Sequence, residues 1–126
     1  MAHILIVDDS PTEVYVFRTM LEKHGYTVSV ATSGEEGVEK IRGERPDLVL
    51  MDIVMPGLNG FQATRQLTKD PDTSSIPVVI LSTKGQESDR VWGLRQGAKD
   101  YLAKPVNEEL LVGKIHSILS EHQGSQ

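Results

Sequence analysis

Leu48-Val49-Leu50-Met51-Asp52 is a four-residue apolar run that stops on a carboxylate, with Met55-Pro56-Gly57 close behind it. A short apolar run with turn residues on its far side reads as a strand buried on both faces, as strands of a parallel sheet are. Asp52 then stands where that strand reaches the surface. In an open parallel α/β sheet, ligands and chemistry gather at the carboxyl ends of the strands.

Three further runs repeat the pattern of an apolar strand ending in a polar residue. Ile4-Leu5-Ile6-Val7 stops at Asp8-Asp9, Ile76-Pro77-Val78-Val79-Ile80-Leu81 at Ser82-Thr83, and Asp100-Tyr101-Leu102-Ala103 at Lys104-Pro105. Thr27-Val28-Ser29-Val30-Ala31 alternates, as an edge strand with one wetter face should.

Helices fill the gaps. Ser10-Pro11-Thr12-Glu13 supplies an N-cap, a proline for the first turn and a capping box, and Val14, Phe17 and Leu21 form the buried stripe up to Gly25. Ser33 and Glu36 form a second box ahead of Val38 and Ile41, with Gly37 weakening that helix. Phe61, Thr64 and Leu67 face inward in a third helix, which Asp70-Pro71-Asp72 breaks. A polar loop, Lys84 to Ser88, opens a fourth helix with Val91, Leu94 and Ala98 inward and Gly97 at its end. Asn107 caps a fifth helix carrying Leu111, Ile115 and Ile118 on one face. One domain spans residues 1–121, and residues 122–126 form a polar tail.

Strands alternating with helices over short connections mean βαβ units, hence a doubly wound α/β fold with a mostly parallel five-stranded sheet. The most apolar strands belong in the centre and Thr27–Ala31 at an edge. The order 2-1-3-4-5 satisfies both conditions and puts the ends of strands 1, 3 and 4 side by side.

Composition narrows the function. The 126 residues suit a single core, and the absence of cysteine excludes disulfides, thiolate metal sites and thiol catalysis. A formal net charge of −5 with no basic run argues against nucleic acid as a partner. No apolar stretch approaches the roughly 20 residues that span a bilayer, and Met1-Ala2-His3-Ile4 enters a strand without a charged leader, so no membrane insertion and a cytoplasmic location are expected. His3, His24, His116 and His122 share no ligand spacing, and the glycines form neither GxxxxGK nor GxGxxG.

The strand ends collect Asp8 and Asp9, Asp52, Ser82 and Lys104 on one rim. Three carboxylates in one crevice repel, so they hold a proton or bind a cation. An oxygen-rich site with open positions suits Mg²⁺. With the metal bound, Asp52 is a nucleophile able to accept a phosphoryl group. The metal, the Lys104 ammonium and the Ser82 hydroxyl would then cover its oxygens. Singly, each residue has a plainer role: a turn or cap aspartate, a complement to a helix dipole, a solvated lysine, a loop hydroxyl. It is the combination that points to one reaction.

The stretches Ile4-Leu5-Ile6-Val7-Asp8-Asp9, Val49-Leu50-Met51-Asp52-Ile53-Val54-Met55-Pro56, Leu81-Ser82-Thr83 and Gly97-Ala98-Lys99-Asp100-Tyr101-Leu102-Ala103-Lys104-Pro105 resemble the receiver domain of two-component response regulators, the CheY-like family, along essentially the whole chain. The segments Leu58-Asn59-Gly60-Phe61-Gln62-Ala63-Thr64-Arg65-Gln66-Leu67 and Val91-Trp92-Gly93-Leu94-Arg95-Gln96-Gly97 are similar to stand-alone receivers of chemotaxis-like systems controlling type IV pili and twitching motility, the PilH type.

The resemblance implies a flavodoxin-like (βα)5 sandwich in the 2-1-3-4-5 order, for which this family is itself a standard example. It implies that Asp52 takes a phosphoryl group from a histidine kinase. Mg²⁺ would be held by Asp9 and Asp52, by Asp8 through water and by the Val54 carbonyl. Ser82 and Lys104 would reach the phosphoryl oxygens, Lys104-Pro105 would be cis, and Tyr101 would be the switch aromatic. A downstream protein would dock on the face carrying Trp92 and Tyr101. The protein would be a monomeric signalling domain rather than an enzyme, acting as a switch or a phosphate sink in pilus, twitching or phototaxis-like movement, or in another chemotaxis-type pathway. An aspartate-nucleophile phosphatase would need an acid two residues after Asp52, where Val54 stands. A flavodoxin-type binding module would need a hydroxyl-rich loop in place of Asp8-Asp9. A degenerate receiver would lack part of the set Asp9, Asp52, Ser82 and Lys104.

Overall fold

The computed structural model describes the backbone of residues 2–124 and the side chains of residues 2–121. In chain order the elements are β1 (His3–Val7), α1 (Pro11–Lys23), β2 (Thr27–Ala31), α2 (Gly34–Glu44), β3 (Leu48–Met51), α3 (Gly60–Lys69), β4 (Val78–Ser82), α4 (Glu87–Arg95), β5 (Asp100–Ala103) and α5 (Glu108–Gly124). The strands form one parallel sheet in the order β2-β1-β3-β4-β5, as expected from the distribution of apolar runs. The residues read as a polar tail begin where side-chain description ends; the α5 backbone runs on to Gly124, and residues 125 and 126 lie outside the described residues.

Because side chains alternate along a strand, each central strand feeds two cores. Leu5, Val7, Val49, Met51 and Ile80 face the layer that includes Val38, Ile41, Ala63 and Leu67 of α2 and α3. Ile4, Ile6, Leu48, Leu50 and Leu81 face Phe17, Leu21, Leu111 and Ile115 of α1 and α5. This two-sided burial explains the unbroken apolar runs. β4 starts at Val78 rather than Ile76 because Pro77 has no N–H for the ladder, although its carbonyl accepts the Val49 N–H at 3.0 Å.

Local details depart from the sequence reading in three helices. In α4, Val91 is exposed and Leu94 only partly buried. The buried position is Gly93, where a Cβ would lie 2.7 Å from the Tyr101 ring, so α4 approaches β5 through a missing side chain rather than an apolar stripe. In α1, Ser10 accepts the Glu13 N–H at 3.4 Å, but the Glu13 carboxylate does not close the box; it turns to Lys104. In α2, Glu36 reaches past the cap to the Thr32 N–H at 2.6 Å. The complete capping box is in α3, between Asn59 and Gln62. Gly37, which weakens α2 as a helix, lets it close onto the Val7 methyl groups.

Candidate functional site

Three backbone hydrogen bonds carry the sheet one residue past its strands. The Asp8 N–H donates to Ala31 O at 3.0 Å, the Asp52 N–H to Val7 O at 2.9 Å and the Lys104 N–H to Ser82 O at 2.8 Å. These bonds fix Asp8, Asp52, Ser82 and Lys104 on one rim before any side-chain contact forms. Alternation then sorts them: Asp8 shares the parity of Ile6, Asp52 that of Leu50 and Lys104 that of Leu102, all facing α1 and α5. Ser82 shares the parity of Ile80 and faces the α4 side with Tyr101.

The Lys104 ammonium lies 2.8 Å from Glu13 Oε2, 3.1 Å from Asp8 Oδ2 and 3.5 Å from Asp52 Oδ1. Its side chain is 6% exposed, so the contacts with the buried Asp8 and Asp52 are little screened by water, whereas the partly exposed Glu13 is screened more. Burial alone would lower the lysine pKa. The hydrogen bond to Glu13 and the charges of Asp52 and Asp8 outweigh that and hold it above its ordinary value, fully protonated at neutral pH. Burial, then the charge of Asp8, push the Asp52 carboxyl up, against the pull of Lys104.

The raised Asp52 pKa has a stability consequence. The folded protein keeps a proton that the unfolded chain gives up near pH ~3.9, so stability falls as pH rises from there through the folded value. Ionised Asp52 therefore weakens the fold at neutral pH. Asp52→Asn is expected to raise the melting temperature at pH 7, with the gain fading toward pH ~4. Thermal melts of both proteins at the two pH values check this.

The remaining residues of the sequence reading fall into two groups. Ser82 is fully buried, and its hydroxyl accepts the Lys84 N–H at 3.2 Å. Tyr101 is turned inward, 6% exposed, and its hydroxyl donates to the carbonyl of the same Lys84. The pair is thus joined through one residue of the β4–α4 loop, by the N–H of Lys84 on one side and its carbonyl on the other. The Lys104–Pro105 bond is cis. Outside this knot, Asp9 is exposed at the rim, Val54 is 59% exposed after β3, and Thr83 and Lys84 are exposed beyond β4. Trp92 is 50% exposed on α4. The loop carrying Val54 is tied to α2 by Glu35, which accepts the Leu58 N–H at 3.0 Å.

Glu13 is the residue that sequence reasoning placed wrongly. Its position three residues after Ser10 fits a capping box, and that reading hid a second possibility: the first turn of a helix that starts at the acidic rim also overhangs it. Among the described residues, Asp8, Glu13 and Asp52 each place a carboxylate oxygen within 4.8 Å of the others, and the group lacks Asp9. Three carboxylates facing one ammonium leave an excess of negative charge on hard oxygen donors. That donor chemistry fits a divalent cation such as Mg²⁺.

The response regulator receiver domain family matches the chain over residues 4–116. Protein PilH of Pseudomonas aeruginosa is 66% identical over 120 residues, 95% of this chain and 99% of that protein. Response regulator PleD of Caulobacter vibrioides is 37% identical over 117 residues, covering 93% of this chain and 26% of PleD. Among solved structures, a CheY-like response regulator receiver domain protein from Methanospirillum hungatei has a TM-score of 0.92 at 30% identity, covering 100% of this chain and 99% of that one. Fold, rim chemistry and sequence point the same way: the chain belongs to the response regulator receiver domain family.

Proposed function

We propose that Asp52 accepts a phosphoryl group from a phosphohistidine on a sensor kinase and that the chain relays it as a conformational switch or phosphate sink. The observation that carries this reading is the Lys104 ammonium, drawn from β5 across the rim to within 3.5 Å of Asp52. In the transfer, an Asp52 carboxylate oxygen attacks phosphorus and the phosphorus–nitrogen bond breaks. The electron pair leaves on the imidazole. Lys104 receives a phosphoryl oxygen on its ammonium. The Ser82 hydroxyl accepts from Lys84 N–H and still has its own proton to donate to another oxygen. Asp8, Asp9, Asp52 and the Val54 carbonyl would hold Mg²⁺, which supplies charge neutralisation at the phosphoryl oxygens.

The 66% identity to Protein PilH over nearly the whole chain, with the resemblance of Leu58–Leu67 and Val91–Gly97 to stand-alone receivers of pilus systems, supports a place in a chemotaxis-like system controlling type IV pili and twitching. The half-exposed Trp92 supports docking of a downstream protein on the face of α4, β5 and α5. Tyr101 lies behind that face, and its position there would report the state of Ser82. No helix among the described residues is long and apolar enough to cross a membrane.

Incubation with acetyl phosphate and Mg²⁺, read by intact mass, tests the chemistry. One added phosphoryl group, abolished by EDTA and in Asp52→Asn, is expected; unchanged labelling of Asp52→Asn removes the proposal. The Val54 side chain, exposed two residues after Asp52, offers no hydrogen bond to an attacking water. Val54→Asn is therefore expected to shorten the aspartyl-phosphate lifetime by about tenfold, a loss on the scale of one positioned donor, as followed by the decay of the phosphorylated mass.

A further inference from the structure

We propose that Glu13 is a brake on the site: it competes with the phosphoryl group for the Lys104 ammonium and yields it when Asp52 is phosphorylated. This inference rests on the reading of Asp52 as the acceptor.

A lysine ammonium has three N–H groups and no more. In this structure three carboxylates surround it, at 2.8, 3.1 and 3.5 Å, so each N–H already has a partner. The ammonium also lies over the Phe17 ring, with the centroid 5.8 Å from Nζ. A phosphoryl oxygen can join Lys104 only if one carboxylate lets go.

Asp8 is poorly placed to do so. It is buried, its backbone is held in the sheet ladder, and its other oxygen accepts the Ser10 N–H at 2.9 Å. Asp52 is the group being esterified, and its own loss of charge frees at most the weakest of the three contacts, while bringing up a dianionic group in its place. Glu13 makes the shortest contact yet has the most freedom. Its side chain is 36% exposed, on the first turn of α1. It lines a groove of about 380 Å³ bounded by Thr12, Val16, Phe17, Thr83 and Pro105, which gives the carboxylate room to swing away. A mobile acid that holds the essential cation at rest, and repels the incoming anion, raises the threshold for phosphorylation without contributing to the bond that forms.

Beryllium trifluoride, a phosphoryl mimic that adds to the acceptor carboxylate, tests this without a kinase. Wild type, Glu13→Gln, Glu13→Ala and Glu13→Asp are titrated with beryllium fluoride at saturating Mg²⁺, and the bound species is read by ¹⁹F NMR. Glu13→Gln and Glu13→Ala are expected to bind about tenfold more tightly than wild type, the scale of one charge-assisted hydrogen bond no longer opposed. Glu13→Asp, which keeps the charge on a shorter stem, is expected to fall between. Affinity in Glu13→Gln and Glu13→Ala equal to or weaker than wild type overturns the brake. A merely structural Glu13, serving the dipole of α1, would shift the melting temperature and leave the titration unchanged. If wild type itself binds no beryllium fluoride, the acceptor reading fails first, and that result is distinct from equal binding by all four proteins.

Discussion

Lys104→Ala lowers the stability of the protein by about 3 kcal/mol at pH 7, close to 10 °C in melting temperature, the loss expected when one partner of a buried ion pair is removed. The size follows from burial. Lys104 and Asp8 are 6% and 4% exposed in their side chains, so the carboxylates left behind face one another with little water between them. Glu13, more than a third exposed, adds less because solvent screens it. The sign with pH is set by two groups. The Lys104 pKa is raised, so its stabilisation is complete below the ordinary lysine value of ~10.4 and is lost only as pH climbs through the folded value. Asp52 already holds a raised pKa, and without the lysine it rises further, so the deficit of the variant shrinks as pH falls toward about 4. Added Mg²⁺ narrows the deficit at pH 7 by supplying another cation. The same substitution is expected to slow phosphoryl uptake from acetyl phosphate about 100-fold, the usual scale for losing one group aimed at developing charge. Melting curves across pH, with and without Mg²⁺, and a mass-based time course check these effects.

Gly60→Ala is expected to be as damaging, for a steric reason. A Cβ at Gly60 would stand 1.9 Å from the Asp52 carbonyl oxygen and 2.9 Å from the Ile53 Cα, both backbone atoms with no rotamer to escape into. The Gly60 N–H also donates to Ile53 O at 3.0 Å, so α3 begins against the backbone next to Asp52, the proposed acceptor. A cost of about 3 kcal/mol is expected, together with displacement of Asp52 and a loss of labelling by acetyl phosphate. Gly43→Ala is the control. It lies near the end of α2 with nothing within 4 Å of the added carbon, and helix propensity alone should stabilise it by about 0.5 kcal/mol. Opposite signs from the same chemical change would locate the effect in the packing of α3 on Asp52; equal, small effects would show that the loop yields freely.

The sheet was legible because its signal is redundant. Leu48–Met51 and Ile4–Val7 are apolar at every position, and only strands buried on both faces need that; once they are central, the alternating Thr27–Ala31 has nowhere to go but an edge. The ends of those runs also exposed the rim residues, since Asp8, Asp52, Ser82 and Lys104 each stand at or directly beyond a strand's last residue. Helix details were harder. A period of 3.6 residues pointed to Val91 and Leu94, but α4 packs through Gly93, and a missing side chain leaves no hydropathy signal. Glu13 carried two compatible roles, capping and ion pairing, and local pattern favours the nearer one. The tertiary partner that decided between them, Lys104, lies 91 residues away in the chain.

The most direct measurement is the position of the acyl phosphate. The protein is phosphorylated with acetyl phosphate and Mg²⁺ and reduced with borohydride, which turns a phosphoaspartate into homoserine, and the peptides are then sequenced by mass spectrometry. Homoserine at position 52 alone is the expected result. Homoserine at Asp8 or Asp9, or an acid-stable phosphate on Ser82 with position 52 unmodified, would contradict a site built around Asp52 and the lysine that reaches it.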